Sequence, residues 1–329
     1  MFPAQKNKSL WQPSASRDTL VKRASMINVI RHFFAARDVL EVETPVLCHT
    51  SVTDPFIQSI PAYFQAQGSQ QQQCYYLQTS PEYAMKRLLA AGSGAIFQIT
   101  KAFRQGEVGR NHNPEFTMIE WYRPGFDHHA LMNETDELLQ LLLKKPAALR
   151  RTYAEIFQEY LQIDPHHASL ADLKNCAQSI NLSVADEISD RDTWLQLLMS
   201  EYIEPRMNED RPYFIYDFPA SQAALARIQE NSNPPVASRF EVYYRGIELA
   251  NGFHELQHAE EQRARFENNR KVREQMQLND MPIDELFLGG LSHGLPDCSG
   301  IALGIDRLMM LAMEKENIAD VLTFDFARA

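Results

Sequence analysis

The 329-residue chain carries neither a G-x-G-x-x-G turn nor a G-x-x-x-x-G-K-[ST] loop, so the usual glycine-built nucleotide signatures are missing. Cysteine is scarce. Cys48, Cys74, Cys176 and Cys298 form no C-x-x-C pair, which suggests neither a zinc ribbon nor a disulfide framework and fits reduced thiols in a cytosolic protein. No apolar run reaches about 18 residues, so no membrane span is expected. Residues 1–16 are polar and lack an apolar core, so they do not read as a signal peptide. Positive charge is in deficit: 32 Lys and Arg stand against 43 Asp and Glu, a net charge of −11. That argues against the global basic footprint of a nucleic-acid binder and leaves room for a local basic patch. No internal repeat is present. The one low-complexity tract, 70–73, reads as a solvated loop between strands.

The chain is long enough to bury a sizeable core. Helical periodicity marks 18–36, with Asp18 as candidate N-cap. A short β-rich run at 39–47 contains Pro45, which confines it to an edge or an end. A helix with proline in its first turn is expected at 81–91, then strands at 95–103 and 115–122. Residues 127–231 read as a mainly helical insertion, closed by Asn233-Pro234-Pro235. Strands return at 239–256, a charged helix follows at 260–277, and a strand-helix unit spans 300–316. No regular βαβ alternation appears. The expected class is α+β, an antiparallel sheet flanked by helices, in a single domain over 1–329.

Four segments carry chemistry. In E-F-T-M-I-E-W-Y-R at 115–123, strand alternation puts Phe116, Met118, Glu120 and Tyr122 on one face. Phe116 and Glu120 would stand roughly 13 Å apart. One ligand could therefore stack an adenine on Phe116 and place an amine at Glu120 and Tyr122; otherwise this is an amphipathic face with a solvated Glu120. The preceding loop holds Arg104, Arg110 and His112, suited to a polyanion because a guanidinium fork matches phosphate oxygens, or equally to a solvent-facing hairpin. In the third segment, R-F-E-V-Y-Y-R-G-I-E-L-A-N-G-F-H-E-L at 239–256, Arg245-Gly246 fits a two-residue turn. Tyr243 would pair with Glu248, and Glu241 would lie diagonally on the same face, about 7–8 Å away. Two such carboxylates can share magnesium. Asn251, Phe253 and Glu255 join that face only if Asn251-Gly252 forms a bulge. Last, Gly300 to Arg307 reads as a strand ending at a helix start, where Arg307 and the helix N-terminus could meet phosphate, or as a buried packing unit.

Together these segments resemble the three signature motifs of the class II aminoacyl-tRNA synthetases. The first resembles the N-terminal helix ending in Val42-Glu43-Thr44-Pro45, the second Phe103-Arg104 through Glu115-Phe116, and the third Gly304-Ile305-Asp306-Arg307. T-S-P-E-Y at 79–83, H-N-P-E-F-T-M-I-E-W-Y at 112–122 and N-G-F-H-E-L at 251–256 are close to the lysyl subtype. The likeness runs from about residue 18 to the end. About 17 residues precede the first expected helix, too few for the anticodon-reading barrel of lysyl-tRNA synthetases, so transfer RNA is not the expected acceptor. E-W-Y-R-P at 120–124 and P-D-C-S-G at 296–300 look like the free-standing elongation factor P lysine ligases.

The resemblance implies ATP and Mg2+ as cofactors, (R)-β-lysine as substrate, elongation factor P as acceptor, a homodimer formed through the first motif, and a cytoplasmic setting. It implies that Arg104 holds the α-phosphate and Arg307 the γ-phosphate, both in catalytic roles. Phe116 would stack on adenine with His112 and Asn113 beside it, and Glu241 and Glu248 would bind magnesium. Glu82 would face an amino group near the reacting end and Asn251 the carboxylate, while Glu120, Tyr122 and Glu255 would hold the distal ammonium. Two positions depart from the lysyl pattern. The acid usually found two residues after the second-motif arginine is replaced by Gly106, with Glu107 next to it, and Ala302 stands where glycine is usual. The methyl group of Ala302 is expected to favour β-lysine over α-lysine.

Overall fold

The computed structural model describes residues 9–182 and 188–329. The chain divides into two compact units: Met1–Pro124, Gln257–Asp297 and Ala302–Ala329 form the first, and Gly125–Leu256 with Cys298–Ile301 the second. In chain order the first unit begins with α1 (Arg17–Ala35), β1 (Leu40–Glu41), β2 (Leu47–Cys48), β3 (Pro61–Gln65), β4 (Gln72–Leu77), α2 (Glu82–Ala90), β5 (Ile96–Phe103) and β6 (Glu115–Pro124). The second unit contributes α3 (His128–Leu143), β7 (Leu149–Thr152), α4 (Tyr153–Leu161), α5 (Leu170–Ser179), α6 (Arg191–Leu198), β8 (Tyr213–Pro219), β9 (Ile228–Gln229), β10 (Val236–Tyr244) and β11 (Ile247–His254). The chain then supplies α7 (Ala259–Gln275), α8 (Glu285–Gly294), β12 (Cys298–Gly304), whose residues are shared between the units, and α9 (Ile305–Ala312).

The first unit pairs β5 antiparallel with β6, and β1 lies parallel at the edge of β5. A separate antiparallel set orders β2, β4 and β3. The second unit pairs β10 antiparallel with β8, β9 and β11, and β7 lies parallel to β8. Among these pairings only β1 and β7 run parallel to their partners. Each of these returns to its partner through a long crossover containing helix, which is what a parallel pair needs.

Local chemistry explains the boundaries. Ser16, not Asp18, caps α1: its hydroxyl accepts from the Thr19 backbone N–H at 3.2 Å. Asp18 lies in the first turn, where its charge complements the helix dipole. Pro45 falls between β1 and β2 and splits the run expected at 39–47. The stretch 127–231 is helical in α3 to α6 but also carries β7, β8 and β9. In β8 the run Phe214-Ile215 is buried on both sides, so the strand shows no alternation to betray it. In the first unit Phe34 of α1 packs between Phe97 of β5, at 4.8 Å between centroids, and Trp121 of β6, at 5.2 Å. In the second, Tyr153, Phe157, Leu195, Leu198 and Phe218 form a core under β8.

Candidate active site

The first unit presents an arginine-lined strand loop and a buried carboxylate on the same strand, β6. Arg104 leaves β5 at the loop's neck, where its backbone N–H donates to the Pro114 carbonyl at 2.9 Å. Its Nη1 lies 3.5 Å from Glu107 Oε1, and its guanidinium carbon stands 5.1 Å from the Phe116 ring centroid. Arg104 Nε is buried without a hydrogen-bond partner among the described residues. A buried unsatisfied donor is unfavourable, and a phosphate oxygen would satisfy it. Gly106 turns the loop at φ +84°, a conformation that favours glycine, so Glu107 is the acid that reaches Arg104.

Arg307 occupies the first turn of α9. It donates from Nη2 to His112 Nε2 at 2.6 Å and from Nε to the Asn111 carbonyl at 3.2 Å. The crowded His112 ring keeps an exposed edge, yet burial, then Arg307 and Arg104, lower its pKa, with Glu107 acting against them. A neutral imidazole beside a guanidinium leaves the local charge positive, as a phosphate site requires. The start of α9 is fixed by Asp306, which accepts from the Thr117 backbone N–H at 2.7 Å and pairs with Arg23 at 2.6 Å. Asn113 is committed to the loop itself: its amide nitrogen donates to the Glu115 carbonyl, and its oxygen accepts from the Phe326 N–H.

Further along β6, Glu120 is 1 % exposed, which removes the solvated reading. Its Oε1 accepts from the Tyr122 hydroxyl and its Oε2 from the Ser80 hydroxyl, both at 2.6 Å. Burial first, then the negative charge of Glu82, pushes its pKa up to about 7. Glu82 opens α2 and receives the buried Lys86 ammonium at 2.6 Å. Ala302 lies half-buried in the part of β12 that belongs to the first unit.

In the second unit, Arg245 (φ +52°) and Gly246 (φ +70°) form the tight turn between β10 and β11. Tyr243 pairs with Glu248, as a two-residue turn dictates. The register then shifts. Val242 opposes Ala250, so β11 carries one extra residue, Leu249, and Glu241 faces Asn251. The bulge therefore lies before Asn251 rather than at Asn251-Gly252, and it still moves Asn251 and Phe253 onto the face of Glu241 and Glu248. Gly252 has a different task. It faces Phe240, and a Cβ there would stand 2.4 Å from the ring. Glu255 lies just past β11, 1 % exposed, and its backbone N–H donates to the Cys298 carbonyl at 3.0 Å.

Glu241 accepts from Arg239 Nη2 at one oxygen and from the Tyr243 hydroxyl at the other. Arg239 also donates to Asn251 Oδ1 at 3.3 Å and to the Gln222 carbonyl at 2.7 Å. Glu241 and Glu248 do not face each other bare, because this guanidinium stands among them. Two hard carboxylates on one face fit magnesium, which takes one or two protein oxygens and completes its shell with water and phosphate. Among the described residues no group of three or more His, Cys, Asp or Glu forms an all-protein cage.

Four contributors receive no site role from the sequence, although Ser80, Arg239 and Tyr243 lie within the quoted motifs: Ser80, Lys86, Arg239 and Tyr243. Each had a local signal. Arg239 and Tyr243 flank Glu241 at strand spacing, Lys86 follows Glu82 at i+4, and Ser80 precedes it by two residues before a helix start.

The sequence profile of the tRNA synthetases class II (D, K and N) matches residues 6–328. A protein of Vibrio cholerae named elongation factor P–(R)-β-lysine ligase is 52% identical over 320 residues, 97% of this chain and 98% of that protein. Proteins of the same name from Salmonella paratyphi A and Vibrio parahaemolyticus are 52% and 53% identical over 97% and 96% of the chain. The chain belongs to the class II tRNA synthetase family of the D, K and N group.

Proposed function

We propose that this chain is an ATP-dependent, AMP-forming ligase that activates (R)-β-lysine as its adenylate and joins it to a lysine side chain of elongation factor P. The observation that carries the substrate class is Glu120: a buried carboxylate whose hydrogen bonds come from the neutral hydroxyls of Ser80 and Tyr122, and which therefore lacks a cation that a ligand ammonium would supply. The acceptor is taken from the ligases of that name, which match the chain along nearly its whole length.

In the first step a carboxylate oxygen of the amino acid attacks the α-phosphorus of ATP. A new P–O bond forms, the bond to the β-phosphate oxygen breaks, and pyrophosphate leaves with the electron pair. Arg104 and Arg307 hold the phosphates and neutralise charge that builds on their oxygens, so catalysis is positioning plus electrostatics. Phe116, under the Arg104 guanidinium, offers its ring to adenine, with His112, Asn113 and Glu107 in the same loop. Glu241 and Glu248 would hold Mg2+, which when bound draws charge from the phosphate oxygens. Glu120, Tyr122 and Glu255 take the distal ammonium, Glu82 the amino group nearer the reacting end, and Asn251 and Phe253 line the carboxylate end. In the second step a lysine amine of the acceptor attacks the adenylate carbonyl. The amide C–N bond forms, AMP leaves, and the amine gives up a proton. The working form is a homodimer in the cytoplasm, paired through the region of α1.

The test is ATP–pyrophosphate exchange with (R)-β-lysine, α-lysine and norleucine. Exchange that is strongest with (R)-β-lysine and absent with norleucine is expected. Exchange as fast with norleucine as with lysine would remove the amine pocket and the substrate class with it.

A further inference from the structure

Lys86 is buried on α2 with 1 % of its side chain exposed, although lysine is almost never fully buried without a partner. Its Nζ lies 2.6 Å from Glu82 Oε1 and 5.7 Å over the Phe287 ring, which is itself stacked on Tyr83 at 4.5 Å. The Glu82 backbone N–H donates to Ser80 Oγ at 3.1 Å, and Ser80 Oγ donates to Glu120 Oε2 at 2.6 Å. Lys86, Glu82, Ser80, Glu120 and Tyr122 therefore form one connected chain.

We propose that Lys86 is a positioning residue of the amine pocket: its buried ammonium clamps Glu82 beside Glu120 and places a fixed positive charge next to the two carboxylates that an incoming cationic side chain would meet. This rests on the reading of a lysine-like substrate given above.

The charged and titratable groups of the first unit that face Glu120 are Glu82 and Lys86 from α2 and Tyr122 from its own strand; the cross-strand neighbour Gln98 is neutral. Two carboxylates in one pocket oppose each other's ionisation. Burial and Glu82 raise the pKa of Glu120, while Ser80, Tyr122 and Lys86 lower it. Removing the charge of Lys86 leaves Glu82 unopposed and moves the titration of Glu120 further up. At neutral pH Glu120 then keeps its proton, and a ligand ammonium has to displace it.

Two measurements test this. The first uses ligand-free protein with carbon-13 in the glutamate carboxyls, the Glu120 signal being the one lost in Glu120→Gln. Its midpoint should lie near pH 7 in the wild type, move up in Lys86→Met, and return toward the wild-type value in Lys86→Arg. The second follows KM for (R)-β-lysine in ATP–pyrophosphate exchange against pH. The first unit of upward shift should raise KM about fivefold at pH 7 in Lys86→Met and each further unit about tenfold, the defect shrinking as pH rises, with KM for ATP unchanged. If Lys86→Met does not fold, Glu82→Gln with Lys86→Met removes both charges; the Glu120 midpoint should then fall below the wild-type value, because Glu82 raises it more than Lys86 lowers it. An unmoved midpoint in Lys86→Met, a midpoint in the double variant that stays up, or a KM raised equally at every pH would overturn the assignment. A wild-type protein that activates no lysine at all would sink the substrate reading instead, and the carboxyl titration would still judge Lys86.

Discussion

Glu120 in the first unit and Glu241 in the second are built alike and left in opposite states. Both are buried on a strand, and both accept a hydroxyl from a tyrosine two residues on, Tyr122 and Tyr243. The difference is the second partner. Glu241 receives the Arg239 guanidinium, whereas Glu120, among the described residues, receives the Ser80 hydroxyl. The same E-x-Y spacing thus yields one carboxylate bonded directly to a guanidinium and one bonded to neutral hydroxyls, with the Lys86 ammonium held on its neighbour Glu82. An ion pair inside the protein suits the role proposed for Glu241 beside phosphates and metal. A carboxylate satisfied by neutral donors suits a residue that must select a ligand's ammonium.

That contrast can be broken in stages. The largest effect should come from the ligand side: norleucine, which lacks the distal amine, should be activated about ten-thousandfold less efficiently than lysine in kcat/KM, since a buried polar site rejects a ligand that leaves it unpaired. Next, Glu241→Gln should lower adenylate formation at least about a hundredfold and raise the magnesium needed for half-maximal exchange. Unchanged exchange across a magnesium titration would contradict the metal assignment.

Glu120 should also be visible in stability. Its folded pKa of about 7 stands above the ordinary 4.5, so between those values the native state holds a proton that the unfolded chain has released. Stability should therefore fall as pH rises through that window, by about 3 kcal/mol, and Glu120→Gln should flatten the slope in urea unfolding. On the Glu241 hairpin, Gly252→Ala should destabilise by about 1–3 kcal/mol because its methyl meets the Phe240 ring; a paired Phe240→Leu should recover part of it. The smallest effect belongs to Ala302→Gly, which should shift the β-lysine to α-lysine preference in kcat/KM by about tenfold or less. An unchanged ratio would make Ala302 a packing residue.

Much of this was readable beforehand, because strand alternation is a strict rule. The common face of Phe116, Glu120 and Tyr122 and the pairing of Tyr243 with Glu248 follow from period two and a two-residue turn. The extra residue Leu249 was not readable: a bulge at Leu249-Ala250 has no glycine or turn residue to mark it, and the Asn251-Gly252 pair drew attention to the wrong place. Strands β7, β8 and β9 hid within a helical stretch because β8 is buried on both faces and β9 is two residues long. The cation partners were missed for a different reason. Whether Arg239 turns to Glu241 or to solvent depends on what packs beside it, here the Phe218 ring 4.5 Å from its guanidinium, and that contact joins paired strands that are well separated in sequence.

The most direct test offers both acceptors at once. The protein is incubated with ATP, magnesium, (R)-β-lysine, elongation factor P and bulk transfer RNA, and both macromolecules are weighed by mass spectrometry. Elongation factor P should gain the mass of one β-lysyl group on a lysine side chain while the transfer RNA stays uncharged. Charged lysine transfer RNA beside unmodified elongation factor P would contradict the account.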